Sequence, residues 1–208
     1  MSYAVKEIFL TLQGEGMQAG RRAVFLRFSG CNLWTGREQD RASAQCNFCD
    51  TDFVGMDGEN GGRYGAAALA DRVAALWGES VRRLVVITGG EPLLQLDAAL
   101  IEALHARAFE IAVETNGTLP APDGIDWICV SPKGTAEVVQ RRGNELKLVW
   151  PQAGVDPAEI ATWSFDHFLV QPMDCAEAAA AQQAAIDFVM ANPRWKLSLQ
   201  AHKLLGLP

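Results

Sequence analysis

The stretch Leu84-Val85-Val86-Ile87-Thr88-Gly89-Gly90-Glu91-Pro92-Leu93-Leu94 decides the fold class. Its opening four residues are apolar without alternation, and the run stops at two glycines. Such a segment reads as a short strand covered on both faces, the environment of a parallel sheet flanked by helices. Working outward, similar runs predict strands over residues 23–28, 110–114, 127–131, 145–149 and 167–171, with a further short strand at 8–11 or 195–199. Apolar residues at helical spacing predict helices over 66–77, 96–107 and 176–191, with Asp174 placed to cap the last. Strands alternating with helices are βα units. The connections 115–126 and 132–144 are too short for a full crossover helix, and the first contains Gly117, Pro120, Pro122 and Gly124. A closed eight-stranded barrel usually needs about 250 residues. The 208 residues here therefore predict an α/β fold in one domain, 1–208: an open, partial (β/α) barrel of about six parallel strands with reduced helices. Segments 32–45 and 57–65 read as loops.

Composition narrows the function classes. Apolar residues make up 49% and charged residues 21%, an ordinary globular balance. The net charge is −7 with Lys and Arg dispersed, which does not favour a sequence-independent grip on nucleic acid. No apolar run is long enough to span a bilayer, and the start MSYAVKEIFLTLQGEG lacks the features of a secretion signal. The expectation is a cytoplasmic protein acting on a small polar molecule, with neither nucleic acid nor membrane as partner.

There are five cysteines, an odd count that argues against a disulfide framework. Cys129 lies in an apolar run and reads as a small buried hydrophobe, and Cys175 has no neighbouring cysteine. Cys31, Cys46 and Cys49 are different. Cys46-Asn47-Phe48-Cys49 is a C-x-x-C motif separated from Cys31 by fourteen residues. Soft thiolates select zinc, copper(I) or iron–sulfur clusters. Structural zinc wants four closed ligands, and no fourth lies nearby, since His105, His167 and His202 are all remote. Three cysteines on a cubane leave one iron open to a chelating ligand such as the amino and carboxylate groups of S-adenosylmethionine. Gly-Gly-Glu-Pro fits the same chemistry. Glycines permit close backbone approach to a ligand, and Glu91 can accept hydrogen bonds from an ammonium group. Polar or glycine residues also follow most predicted strands, at the rim where parallel α/β folds build their sites.

These residues together resemble the radical S-adenosylmethionine superfamily, and within it the 7-carboxy-7-deazaguanine synthase family. The superfamily's usual spacing is C-x3-C-x2-C, so the long gap after Cys31 departs from it, as it does in a subset of that family. The resemblance extends through Gln13-Gly14-Glu15-Gly16, Phe25-Leu26-Arg27, Cys49-Asp50-Thr51, Thr88-Gly89-Gly90-Glu91-Pro92, Glu114-Thr115-Asn116-Gly117, Ser131-Pro132-Lys133, Gln171-Pro172-Met173 and Gln200-x-His202-Lys203.

What the resemblance implies is specific. The reaction contracts 6-carboxy-5,6,7,8-tetrahydropterin to 7-carboxy-7-deazaguanine with loss of ammonia, a step toward queuosine-type deazapurines, with a 5′-deoxyadenosyl radical taking hydrogen from C6. Cys31, Cys46 and Cys49 would hold a [4Fe–4S] cluster, and Thr51 would ligate Mg²⁺ beside Asp50. Phe48, Gly90, Glu91, Ser131, Lys133, Gln171, Pro172, Met173 and Asp174 would line the S-adenosylmethionine site. Leu12, Gln13, Gly14, Glu15, Arg27, Thr88, Glu114, His202 and Pro208 would meet the pterin. Arg27 suits a substrate carboxylate through its guanidinium fork, or alternatively a salt bridge at the barrel mouth. Glu15 and Glu114 suit the N–H edge of an aminopyrimidinone ring. Family members are typically homodimers, and a flavodoxin-type or similar reductant would feed the cluster. Two other readings stay open at this point: a radical activase acting on a partner protein, and a zinc-stabilised binding module.

Overall fold

The computed structural model describes residues 2–208. One nine-stranded sheet runs through them in the order β3-β1-β2-β4-β5-β6-β7-β8-β9. Its strands are β1 (Tyr3–Leu12), β2 (Arg22–Phe28), β3 (Gly62–Tyr64), β4 (Arg83–Gly89), β5 (Phe109–Thr115), β6 (Trp127–Val130), β7 (Arg142–Trp150), β8 (Ser164–Pro172) and β9 (Trp195–Leu197). From β2 through β9 every neighbouring pair is parallel, whereas β1 runs antiparallel to both β2 and β3. The sheet has two free edges and few helices, so the open, partial barrel expected from the sequence is the architecture found.

The differences are in the strand and helix inventory. Seven strands run parallel instead of six, because β9 joins the sheet. Both optional terminal strands form, β1 being longer than predicted and β9 shorter. The 57–65 segment is not wholly loop, since its end forms β3 against Tyr3–Val5, and 32–45 contains a 3-10 helix, Glu38–Ser43. Helices α1 (Ala66–Trp77), α2 (Ala98–His105) and α4 (Ala178–Ala191) occupy the predicted positions, with the short α3 (Pro157–Ile160) and α5 (Ala201–Leu205) added. Asp97 caps α2 by accepting the Leu100 N–H at 3.1 Å. Asp174 does not cap α4. The cap position is Glu177, without a side-chain bond, and Asp174 is instead paired with Lys203.

Period-two alternation places the core on one face and the site on the other. Val24, Leu26, Val85, Ile87, Ile111 and Val113 point outward and are fully buried against Leu69, Val73, Leu100 and Leu104 of α1 and α2. Leu146, Leu148 and Val170 do the same with Ala185 of α4 and with Trp195. Each such side chain contributes about 1.5–3 kcal/mol by burial. The intervening residues, among them Arg27, Thr88, Glu114, Lys147 and Gln171, face a cavity.

Candidate active site

The cavity holds about 420 Å³ inside the barrel mouth. Its upper wall is built by the cysteine loop, which leaves the end of β2. Cys46 is buried, while Cys31 and Cys49 are half-buried. The long gap between the first two cysteines folds back as a brace. Arg41 lies 4.2 Å over the Trp34 ring and donates to the carbonyls of Asn47 and Cys49, both at 3.0 Å. Trp34 packs edge-on against Phe53. The 32–45 segment thus pins the C-x-x-C turn, a role its composition gave no sign of.

Gly90 joins this wall to β4. A Cβ there would lie 2.2 Å from the Gly30 oxygen and 2.7 Å from Cys31 Cβ, so only glycine lets the two loops meet. The Glu91 N–H donates to the Gly30 carbonyl at 2.9 Å. The expectation for the Glu91 carboxylate itself is corrected. It is fully buried and accepts from Leu93 N at 2.9 Å, the Thr115 hydroxyl at 2.7 Å and Asn116 N at 2.8 Å. These bonds tie β4 to β5, and the Glu91 side chain is not among those that line the cavity. Burial raises its pKa above the ordinary carboxylate range despite these donors.

The neighbouring Cys46 and Cys49 thiols act on each other in opposite senses, Cys49 being brought down to about 6 and Cys46 pushed well up. Cys31 is raised by burial. Among the described residues no three His, Cys, Asp or Glu side chains close around a single ion. The fit of Cys31, Cys46 and Cys49 to an iron–sulfur cluster rests on donor type, three soft thiols gathered at one end of the cavity. Phe48, Gly90, Ser131, Lys133, Gln171, Pro172, Met173 and Asp174 line the cavity beside Cys46 and Cys49. Lys133 donates to the Ser131 hydroxyl at 2.5 Å, and desolvation lowers its pKa. Thr51 sits at the rim with its hydroxyl 3.5 Å from Asp50 Oδ1.

The floor is made by the 13–21 connection between β1 and β2, which tucks into the barrel. Leu12, Gln13, Gly14, Glu15, Arg27, Thr88, Glu114, His202 and Pro208 all line the same cavity. Gln13 donates to Glu114 at 2.7 Å and accepts from the Glu15 N–H at 3.1 Å. Gln200 donates to Glu15 at 3.0 Å. Gly14 permits contact with the α5 segment, since a Cβ there would fall 2.2 Å from His202 Nδ1, and its carbonyl accepts from Ala201 N at 2.9 Å. Arg27 Nε donates to Glu7 at 2.7 Å. This is the salt bridge that was the alternative role for Arg27. Among the described residues its two terminal nitrogens hold no protein acceptor, so they are available at the cavity.

Four important side chains were missed. Lys147 is buried and bridges Glu15 at 2.5 Å and Glu114 at 3.0 Å. Glu7 holds Arg27. Gln200 orients Glu15. Lys203 ties α5 to Asp50 at 2.6 Å and to Asp174 at 2.5 Å. The signal for Lys147 was the polar–apolar alternation Glu145-Leu146-Lys147-Leu148, which reads equally well as a solvent-facing strand.

Comparison with known proteins places this geometry in context. Residues 39–144 match the model of the Radical SAM superfamily. The chain is 62% identical to the 7-carboxy-7-deazaguanine synthase of Bordetella pertussis and 64% identical to that of Bradyrhizobium diazoefficiens, in both cases over 100% of each chain. The crystal structure of QueE from Escherichia coli superposes with a TM-score of 0.73 at 27% identity, covering 97% of this chain and 95% of that one.

Proposed function

The chain belongs to the 7-carboxy-7-deazaguanine synthase family of radical S-adenosylmethionine enzymes, and from that premise we propose that it converts 6-carboxy-5,6,7,8-tetrahydropterin to 7-carboxy-7-deazaguanine with loss of ammonia. The observation that carries the reading is that one cavity joins the Cys46–Cys49 turn to a floor of hydrogen-bond acceptors, Gln13, Glu15 and Glu114. Its volume suits a small molecule better than a protein segment.

Cys31, Cys46 and Cys49 would hold the [4Fe–4S] cluster. When bound, the cluster and S-adenosylmethionine would supply the radical chemistry that removes hydrogen from C6 of the pterin. The protein's own share is placement and exclusion of water. Phe48, Gly90, Ser131, Lys133 and the Gln171–Asp174 stretch border the S-adenosylmethionine side, with Glu91 acting beneath as the tie that holds the Gly-Gly turn in register. Glu15 and Glu114 accept from the N–H edge of the pyrimidinone ring. Arg27 pairs with the substrate carboxylate through its terminal nitrogens while Glu7 fixes its Nε. Thr51 offers a hard oxygen for Mg²⁺, an ion that keeps most of its waters. His202 and Pro208 complete the wall on the α5 side. A homodimeric state, a flavodoxin-type reductant and a cytoplasmic location belong to the same reading. Among the described residues no helix is long and apolar enough to cross a membrane.

The test is anaerobic turnover of reduced, reconstituted protein with S-adenosylmethionine and the carboxylated pterin. Deazaguanine product without matching loss of S-adenosylmethionine is expected. Formation of 5′-deoxyadenosine without product would sink the substrate assignment, and no cleavage by protein of verified iron and sulfide content would sink the chemistry as well.

A further inference from the structure

Lys147 is a cation buried in the floor, and its placement has a chemical consequence. It projects from the middle of β7 with a side chain 4% exposed, and its ammonium meets Glu15 at 2.5 Å and Glu114 at 3.0 Å. Those carboxylates come from the 13–21 connection and from β5, so a single side chain from a third segment fixes their separation. Each keeps a second oxygen engaged by an amide donor, Gln200 on Glu15 and Gln13 on Glu114. Both residues line the cavity, and their side chains are 16% and 22% exposed there.

We propose that Lys147 is a positioning residue that holds Glu15 and Glu114 together as a paired acceptor for the N–H edge of the substrate ring. The inference rests on the pterin reading above. A protonated carboxyl would present an O–H donor to a ring edge that also donates, so the charge state of the floor decides recognition. The groups facing this ammonium are Glu15, Glu114 on β5, Cys129 on β6, Glu145 on β7 and, more weakly and unfavourably, Lys133. Gln171, Gln200 and the charge of Asp50 face Glu15 in turn. Burial alone would push Glu15 up, but the Lys147 charge and hydrogen bond, helped by the Gln200 and Gln171 amides, bring it down to about 2.

The experiment measures equilibrium binding of 6-carboxytetrahydropterin and, separately, of S-adenosylmethionine to reconstituted wild type, Lys147→Gln and Lys147→Arg, between about pH 5 and 8. Lys147→Gln should lose pterin affinity by roughly thirty-fold or more while retaining S-adenosylmethionine affinity. Its deficit relative to wild type should shrink as pH rises, because Glu15 then ionises within the range. Lys147→Arg should stay close to wild type with no added pH dependence. Equal affinity of Lys147→Gln and wild type for the pterin, or a deficit that does not change with pH, overturns the proposal. If Lys147→Gln does not fold, Lys147→Arg decides alone: loss of pterin binding with S-adenosylmethionine binding intact overturns it, and retention supports it. Wild type that binds no pterin would instead refute the substrate assignment.

Discussion

Replacing Gly90 by alanine tests the contact that joins the Gly-Gly turn to the first cysteine. The added Cβ would lie 2.2 Å from the Gly30 oxygen and 2.7 Å from Cys31 Cβ. Real Cβ atoms essentially never come within 3.0 Å, so the backbone must move by about 0.8 Å. Both obstacles sit on one short segment, and the Glu91 N–H bond to Gly30 moves with it. Overpacking of this kind costs about 1–3 kcal/mol. At the midpoint of that range the melting temperature falls by roughly 4–8 °C for a chain of this length. The same shift displaces Cys31, so iron retained after reconstitution should fall alongside stability. Gly20→Ala is the control. It has a positive φ of 84° but open space around the new Cβ, so it should lose some stability through backbone strain and keep its iron. The assay is a thermal melt with iron and sulfide analysis on the same preparations. A Gly90→Ala protein that melts with wild type and carries full iron would refute the steric argument.

Two further outcomes follow from the cavity walls. Arg27→Ala should weaken binding of the carboxylated pterin by roughly thirty-fold with little change for S-adenosylmethionine, and Arg27→Lys should not restore it because an ammonium lacks the fork. Calorimetry with each ligand checks this, and equal losses for both would count against it. Lys203→Ala removes the tie from α5 to Asp50 and Asp174. Because the pairs are partly solvated, stability should fall by about 1 kcal/mol or less, while hydrogen exchange at Ala201–Leu205 accelerates. Unchanged protection there would show that the backbone bond from Ala201 to Gly14 suffices.

Much of the architecture could be read from local pattern because β4, β5 and β8 are buried on the helix-facing side, with β-branched residues in β4 and β5 and the apolar Phe168-Leu169-Val170 in β8. β1 was only half seen. Its Lys6 and Glu7 break the apolar run, and the structure explains them: Lys6 is paired with Asp52 and Asp57, Glu7 with Arg27, beside a bulge in the β1–β2 register. The candidate site was legible where chemistry is marked by residue type, as at the cysteines, and where the family resemblance carried positions across. It was not legible at Lys147, because alternation in a strand states that one face is polar without stating whether that face meets water or a closed interior. Glu91 failed for the converse reason. A carboxylate beside two glycines looks like a ligand acceptor until the fold supplies three donors of its own.

The floor of the cavity is sewn from segments at opposite ends of the described chain. The Gln200 amide bonds Glu15 across 185 positions, and the Gly16 N–H bonds the Ser198 hydroxyl across 182. Synthesis is vectorial, at about 5–20 residues per second, so the 13–21 connection leaves the ribosome on the order of ten to forty seconds before its partners exist. Through that interval Glu15 lacks its Gln200 donor and Gly16 its Ser198 acceptor, although β2, β4, β5 and, later, β7 with Lys147 can already pair. The floor is therefore closed late: a nascent chain arrested before β9 would own most of its sheet, its cysteines and the Lys147 bridge, but not the Gln200 and Ser198 ties.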